Sequence, residues 1–287
     1  MSHYTITAHM VVKNEANWIW YAIMSVIDHV DRMIIYDTGS SDNTAEIIES
    51  IAHDPRYQDK IEYEEKGPVT IHELAQVRQE QINKTTTDYF FVVDGDEIWY
   101  PKVLRAIQEQ LDNAPQPIGL LWTRMCIPGG DIYHYRDDSR EHYTMSLRDA
   151  AGNLEKQVVG SYSIRFYSMK IPGIHCVGDY GVEGFFDANG VSVQDGPYHA
   201  VLSPGYYFHT SFLQRAGHIK GDHEIPYRKR KDKAWDGRFP RNFSYPPILY
   251  QGDKAALPIY NPWTDRVSLS RQLIHHLKRI ARYILHR

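Results

Sequence analysis

Residues 90–99, FFVVDGDEIW, hold the densest chemistry in this 287-residue chain. Apolar strand formers run directly into Asp94, Asp96 and Glu97. In an extended strand, side chains at i and i+2 share a face, so Asp94 and Asp96 are expected to point the same way and Glu97 across. Two hard oxygen donors aimed at one spot suit a divalent cation. If the strand is buried and parallel, its carboxyl end opens into the crevice where α/β sheets bind ligands, and there a cation meets a phosphorylated substrate. The competing reading is a hairpin, because Asp-Gly is a common two-residue turn. Four consecutive apolar residues favour a buried strand over an alternating hairpin arm.

A second motif, MIIYDTGSSDNTAEII, is a strand-to-helix junction. Asp37 stands at the strand's carboxyl end, Gly39 permits a sharp turn, and Asp42 or Asn43 can cap a helix starting near Thr44. A carboxylate in that position can accept hydrogen bonds from a base or a ribose, although helix capping alone explains part of the pattern. Asp37 to Ser40 also spells the Asp-Thr-Gly-Ser of aspartic proteases. That fold is all-β and needs two facing aspartates, whereas this single copy runs into the helical pattern AEIIESIA.

The elements that position these residues alternate. Ile6 to Val12 reads as a strand, Glu15 to Ile27 as an amphipathic helix and Met33 to Tyr36 as a strand. A helix over Thr44 to Ala52, a strand at Ile61 to Tyr63 and a helix over Ile71 to Asn83 lead to the strand before Asp94. Four strands with helical crossovers predict a parallel, doubly wound sheet with helices on both faces. Pro101 suits the first turn of a helix over Val103 to Leu111. From Ile118 onward shorter strand candidates, GLLWTRMCI, YSIRFYS and GYYFHTS, lie between Gly- and Asp-rich loops, predicting a smaller, more antiparallel half. The expected divisions are 1–117, 118–216, a basic and aromatic loop region 217–267, and a terminal helix 268–287.

Composition narrows the partners. With 32 basic against 36 acidic side chains and a net charge of −4, no global basic field draws nucleic acid. Two cysteines, Cys126 and Cys176, indicate neither a disulfide framework nor a thiolate zinc site. Apolar runs fall far short of the ~20 residues of a membrane span, and the amino terminus lacks the pattern of a signal peptide, so a cytoplasmic protein is expected. The 21 tyrosines and 6 tryptophans suit sugar or base pockets as well as an ordinary core.

VVKNEANWIWYAIMSVIDHVDRMIIYDTGSSDNTAEII, followed by Arg78 and FFVVDGDE, resembles glycosyltransferase family 2 and its GT-A fold, with a Rossmann-like half that binds nucleotide-sugar donors. The family's Asn-Glu falls on Asn14 and Glu15, and its Asp-Gly-Ser-x-Asp turn on Asp37 to Asp42, with Thr38 inserted. Its arginine falls on Arg78 and its Asp-x-Asp on Asp94 and Asp96. The likeness covers about the first 100 residues and weakens beyond Ile118. It implies a metal-dependent transfer of sugar from a nucleoside diphosphate, a UDP-sugar first among candidates, to a glycan or lipid-linked acceptor, with inversion expected. Asp96 would be the leading metal ligand. Asp94 would hold the ribose or reach the metal through water, Arg78 would balance phosphate or orient the carboxylates, and Asp37 with Glu15 would face the base. His209, in YYFHTSF, would complete the metal shell, as similar histidines do in some GT-A enzymes, or serve as a satisfied core histidine; a nitrogen ligand favours manganese over magnesium.

Inversion needs a general base to take the acceptor's proton. GIHCVGDYGVEGFFDANG offers Asp179 and Glu183; Glu183, between glycines and backed by Phe185 and Phe186, is the stronger candidate, and a solvated loop carboxylate is the alternative for each. Within Gly217 to Pro247, RKRKDKAWDGRFPR reads as a mobile lid carrying Trp235 and Phe239, as a solvated basic loop, or as a single-strand contact that the net charge disfavours. In Leu269 to Leu285 an apolar face of Leu269, Leu273, Leu277, Ile280 and Ile284 opposes a basic one. Such a helix either packs on protein or lies on the inner face of a membrane. A non-catalytic nucleotide-sugar or glycan-binding protein of the same fold is the alternative to an enzyme.

Overall fold

Strand β1 (Ile6–Val12) alternates across a sheet buried on both sides. Ile6, Ala8, Met10 and Val12 enter the larger core, while Val11 packs on the opposite face. The computed structural model describes residues 3–136, 144–213, 235–268, 270, 273 and 277. Strands β2 (Arg32–Asp37), β3 (Ile61–Glu65) and β4 (Tyr89–Val92) join β1 in parallel, in the order β4-β1-β2-β3. The crossovers are α1 (Ile19–Val26), α2 (Thr44–Ala52) and α3 (Leu74–Lys84). The chain builds outward from β1 to β3, then returns to β4 on the other side of β1. The β1/β4 boundary is therefore a topological switch point, whose carboxyl ends diverge and leave a crevice.

Beyond β4 the pairing changes. After β5 (Glu97–Ile98), α4 (Pro101–Asp112) opens with proline in its first turn and buries Val103, Leu104, Ile107 and Leu111. Strands β6 (Leu120–Cys126), β7 (Pro128–Gly129), β8 (Asp131–Tyr135), β9 (Thr144–Arg148), β10 (Leu154–Val159) and β11 (Tyr162–Ser168) follow. Then come β12 (His175–Val177), β13 (Gly184–Phe186), β14 (Ala200–His209) and β15 (Gly237–Arg238). The large sheet runs β10-β9-β14-β6-β11-β4-β1-β2-β3. Antiparallel β11 joins β4 to β6, and β14 runs parallel to β6. The sheet is thus a parallel block extended by a mixed one, as the change of pattern after Ile118 predicts.

Helix α2 starts at Thr44 as its periodicity suggests and α4 two residues before Val103, whereas α1 and α3 start late. Asn14 has a φ of 56°, and the turn from Glu15 to Trp18 delays α1 to Ile19 rather than Glu15. Helix α3 starts at Leu74, three residues after Ile71, because the Glu73 carboxylate accepts the Thr70 N–H at 2.9 Å and shapes a turn there. The tail 269–287 lies outside the described residues except for positions 270, 273 and 277, as do 228–234 of the basic loop. The loop's Trp235 is buried, and Phe239 stacks on Phe243 at 4.0 Å, against the larger core. These two rings pack the fold instead of riding on a mobile lid. Among the described residues no helix is long and apolar enough to cross a membrane.

One buried polar residue links this core to pH. His9 on β1 stacks on Phe90 at 4.9 Å. Thr85 Oγ1 donates to the Gln81 carbonyl, so the 2.6 Å contact with His9 Nε2 makes that nitrogen the donor. Burial, reinforced by the charge of Arg78, lowers its pKa from 6.5 to about 3. A depressed histidine leaves the folded state with fewer bound protons than the unfolded chain. Its stabilisation is full above pH 6.5 and is lost as pH falls toward 3. Urea midpoints are expected to drop between pH 7 and pH 4, and His9→Phe to flatten that slope; an equal slope in the variant would assign the acid lability elsewhere.

Candidate functional site

Two loops close the crevice over β1 and β2. The Asn14 backbone N–H donates to Ser40 Oγ at 2.8 Å, and its Oδ1 accepts the Ser41 N–H at 2.7 Å. Asp42 accepts from Thr44 at the start of α2 and from the Ala16 N–H at 3.2 Å. The left-handed Asn14 is therefore a clamp between the two loops, and its strain is offset by these bonds. Asp37 is buried; its Oδ1 accepts the N–H groups of Gly39 and Ser40 at 2.8 and 2.7 Å. Its Oδ2 has no hydrogen-bond partner among the described residues. Gly39, at φ 88°, lies against the Pro68 backbone, where a Cβ would come within 2.9 Å.

The acidic motif is not extended. Strand β4 stops at Val92, and the Glu97 N–H donates to the Asp94 carbonyl at 3.0 Å, which folds Asp94 to Glu97 into a tight turn. Gly95 is needed there, since a Cβ would sit 2.9 Å from Glu15 Cγ. The shared face expected for Asp94 and Asp96 is accordingly absent. Asp94 turns to Arg165, at 3.1 Å, and to Arg78, at 3.6 Å. Buried Asp96 turns to His209, whose Nε2 lies 3.3 Å from Oδ1. The Thr210 N–H and hydroxyl both donate to the Asp96 carbonyl, at 2.9 and 3.0 Å, and β5 pairs with the end of β14. That pairing brings His209 to the turn.

Arg165, which no motif marks, is the charge at the centre. It is the extra residue of a β-bulge: Ile164 pairs with Trp122 and Phe166 with Leu121, leaving Arg165 unmatched. Its guanidinium donates to fully buried Glu97, to Asp94 and to the Tyr207 hydroxyl. Burial disfavours its charge, but Glu97, Tyr207 and Asp94 hold its pKa well above the ordinary arginine value. The same burial pushes the Glu97 carboxyl well up, against the pull of Arg165. Burial also acts on Asp94, where Arg165 and Arg78 outweigh it and keep the carboxylate ionised.

Arg78 bridges to the second half. Its Nε lies 3.6 Å from Glu183 Oε1, just before β13. Asp179 is not drawn in: its exposed carboxylate meets His72 Nδ1 at 2.8 Å. A cavity of about 330 Å³ is lined by Lys13, Glu15, Arg78, Asp94, Asp96, Glu183 and His209, with Thr38 beside Asp37. A second, of about 640 Å³, shares Arg78, Asp94 and Glu183 with it. Asp96 and His209 bring an oxygen and a nitrogen within 3.3 Å of each other. Among the described residues no three His, Cys, Asp or Glu side chains form a metal cage. This pair fits a cation that takes its remaining ligands from substrate phosphate and water. A single arginine inside an aromatic strand is the one signal that would have exposed Arg165 in the sequence.

The descriptive model of glycosyl transferase family 2 matches residues 7–171. A TPR repeat-containing protein of Synechococcus elongatus is 29% identical over 119 residues, which span 40% of this chain and 25% of that one. Among solved structures, S. aureus TarS residues 1–349 covers 72% of this chain and 60% of its own, at 14% identity and a TM-score of 0.44. Glucosyl-3-phosphoglycerate synthase from Mycobacterium tuberculosis, in complex with Mn2+ and UDP-glucose, covers 43% and 44% at 20% identity and a TM-score of 0.32. The chain thus spans a quarter of the curated relative and less than two thirds of either solved one.

Removing one partner from a buried ion pair leaves an uncompensated charge. Arg165→Met is expected to cost about 3–5 kcal/mol in urea unfolding at pH 7, and Glu97→Gln in the same background to recover part of it. A loss below ~1 kcal/mol would show that the guanidinium does not anchor the turn.

Proposed function

Because the chain belongs to glycosyltransferase family 2, we propose that it moves a sugar from a nucleoside diphosphate to an acceptor hydroxyl, with inversion, at the crevice beyond β1 and β4. The observation that carries this reading is the convergence of Asp94, Asp96, His209, Arg78 and Glu183 from four separate segments on one cavity. Asp37, one residue before the cavity-lining Thr38 and with an uncommitted Oδ2, would accept an N–H from the base. Asp96 and His209 would hold a divalent cation, manganese ahead of magnesium because of the nitrogen donor. Such an ion, when bound, offsets the negative charge on the departing diphosphate.

Glu183 is the proposed base. The acceptor oxygen attacks the anomeric carbon and forms the new glycosidic bond while its proton passes to Glu183; the bond to the diphosphate breaks, and the diphosphate leaves with the electron pair. Arg78, 3.6 Å from both Glu183 and Asp94, would hold the two carboxylates in position for the reaction. Asp94, kept ionised by Arg165 and Arg78 after burial is outweighed, faces the ribose or a cation-bound water. Asp179, turned toward His72, serves as the control carboxylate.

The test is donor hydrolysis and transfer across UDP-, GDP- and dTDP-sugars, with manganese and with chelator. Asp96→Asn is expected to reduce cation-dependent turnover by about 10²–10³-fold with an unchanged melting temperature. Wild-type turnover and manganese affinity in that variant would remove Asp96 from the metal site. Glu183→Gln is expected to lower transfer at least ~100-fold with donor affinity retained, and Asp179→Asn to remain active. A dead Asp179→Asn beside an active Glu183→Gln would reverse the assignment, and a product of retained configuration would exclude the single-base scheme.

A further inference from the structure

Residues 266–287 carry a charge that the rest of the chain lacks. They hold six Lys or Arg side chains and no Asp or Glu, which leaves 26 basic against 36 acidic side chains, a net charge of −10, over residues 1–265. Charge divided in this way marks the segment for an anionic partner. By spacing, Leu269, Leu273, Leu277, Ile280 and Ile284 share one side of a helix, and Arg271, Lys278, Arg279 and Arg282 the other. Leu273 and Leu277, helical and one turn apart, are 60% and 55% exposed. At these two positions the apolar side is turned to solvent and not to the protein's own core.

The segment starts from a fixed point. Val267 is buried and its N–H donates to Oδ2 of buried Asp131 at 2.9 Å, while the Arg266 guanidinium lies 4.1 Å over the ring of Tyr133. The Tyr133 hydroxyl donates to the Trp263 carbonyl at 3.1 Å, and Trp263 stacks on Tyr250 at 4.6 Å. Tyr250 is 61% exposed, and exposed Leu257 lies along the same groove. Rings with an apolar body and a polar edge settle where hydrocarbon meets water. We infer that this end of the chain docks on the surface of an anionic lipid bilayer. The leucine side enters the acyl boundary, Arg271, Lys278, Arg279 and Arg282 lie among the headgroup phosphates, and Tyr250 rests at the rim. The tail of a second copy would set like charge against like charge, and a nucleic acid, held through its phosphates, has no use for the apolar side.

Vesicle co-sedimentation of the full chain tests it, with phosphatidylcholine alone and with phosphatidylcholine mixed with phosphatidylglycerol, at low and at high salt. Binding is expected with the mixed vesicles only, and is expected to fall as salt rises. Leu273→Glu with Leu277→Glu should weaken it at least ~10-fold, and Lys278→Gln with Arg279→Gln and Arg282→Gln about 100-fold. Tyr250→Ser should act in the same direction to a smaller extent. Equal binding to uncharged vesicles, no sedimentation with either kind, or parental binding in both tail variants overturns the inference. So does a dimer that the leucine variant dissociates, which assigns the face to a second copy, or a fall in that variant's melting temperature, which assigns it to packing within the chain. A single-stranded oligonucleotide bound more tightly than the mixed vesicles, and held equally well by the leucine variant, overturns it in favour of nucleic acid. No donor is present in these measurements, so their outcome is independent of the transfer reaction proposed above.

Discussion

A single buried guanidinium organises the centre of this molecule. Arg165 leaves the β11 bulge and reaches Glu97, Asp94 and the hydroxyl of Tyr207, joining β11, the acidic turn and β14. An arginine can stay charged inside a protein only when anions and acceptors replace its water, and its planar fork allows several at once. Two carboxylates share the one cation, and the more deeply buried, Glu97, is the one whose ionisation burial resists. The pairing directs Asp94 away from Asp96. It leaves Asp96 to meet His209, so the geometry of the candidate cation site follows from a residue that never enters it.

The surrounding loops are rigid for local reasons. Asn14 holds a left-handed conformation because its backbone N–H and side-chain oxygen bind Ser40 and Ser41 across the crevice. Glu15 packs on Gly95, so the loop after β1 and the turn after β4 are shaped against one another. Trp99, the first residue past β5, stacks on Tyr207 at 4.7 Å and braces the same turn from the larger core. A site supported from both faces of the sheet holds its carboxylates in place before any ligand arrives, which is the condition for electrostatic catalysis to act without reorganisation.

The division into two cavities also has a structural origin. The parallel block ends in a crevice at its switch point, while the antiparallel extension raises a hairpin, β12–β13, against α3. Arg78 on α3 and Glu183 before β13 meet at that junction, 3.6 Å apart. The two cavities share Arg78, Asp94 and Glu183 at that junction.

Much of this was legible from residues alone. Period-two alternation in β1, apolar runs in β2 and β4, and proline ahead of α4 determine the parallel block, because burial on both faces leaves few other uses for such sequences. Of the motif residues, Arg78, Asp94 and Asp96 fall on the cavity wall, and Asn14 and Asp37 in the loops beside it. The sequence could not reveal that Asp94 and Asp96 part company, since spacing describes a strand or a turn equally well and only the hydrogen bond from Glu97 N–H to the Asp94 carbonyl selects the turn. Nor could it show where Arg165 points, which depends on a bulge, or that Trp235 and Phe239 pack inward. Those facts belong to contacts between residues far apart in the chain. Local propensity determines which elements form; the requirement that every buried charge find a partner decides, only once they are packed together, which side chains meet.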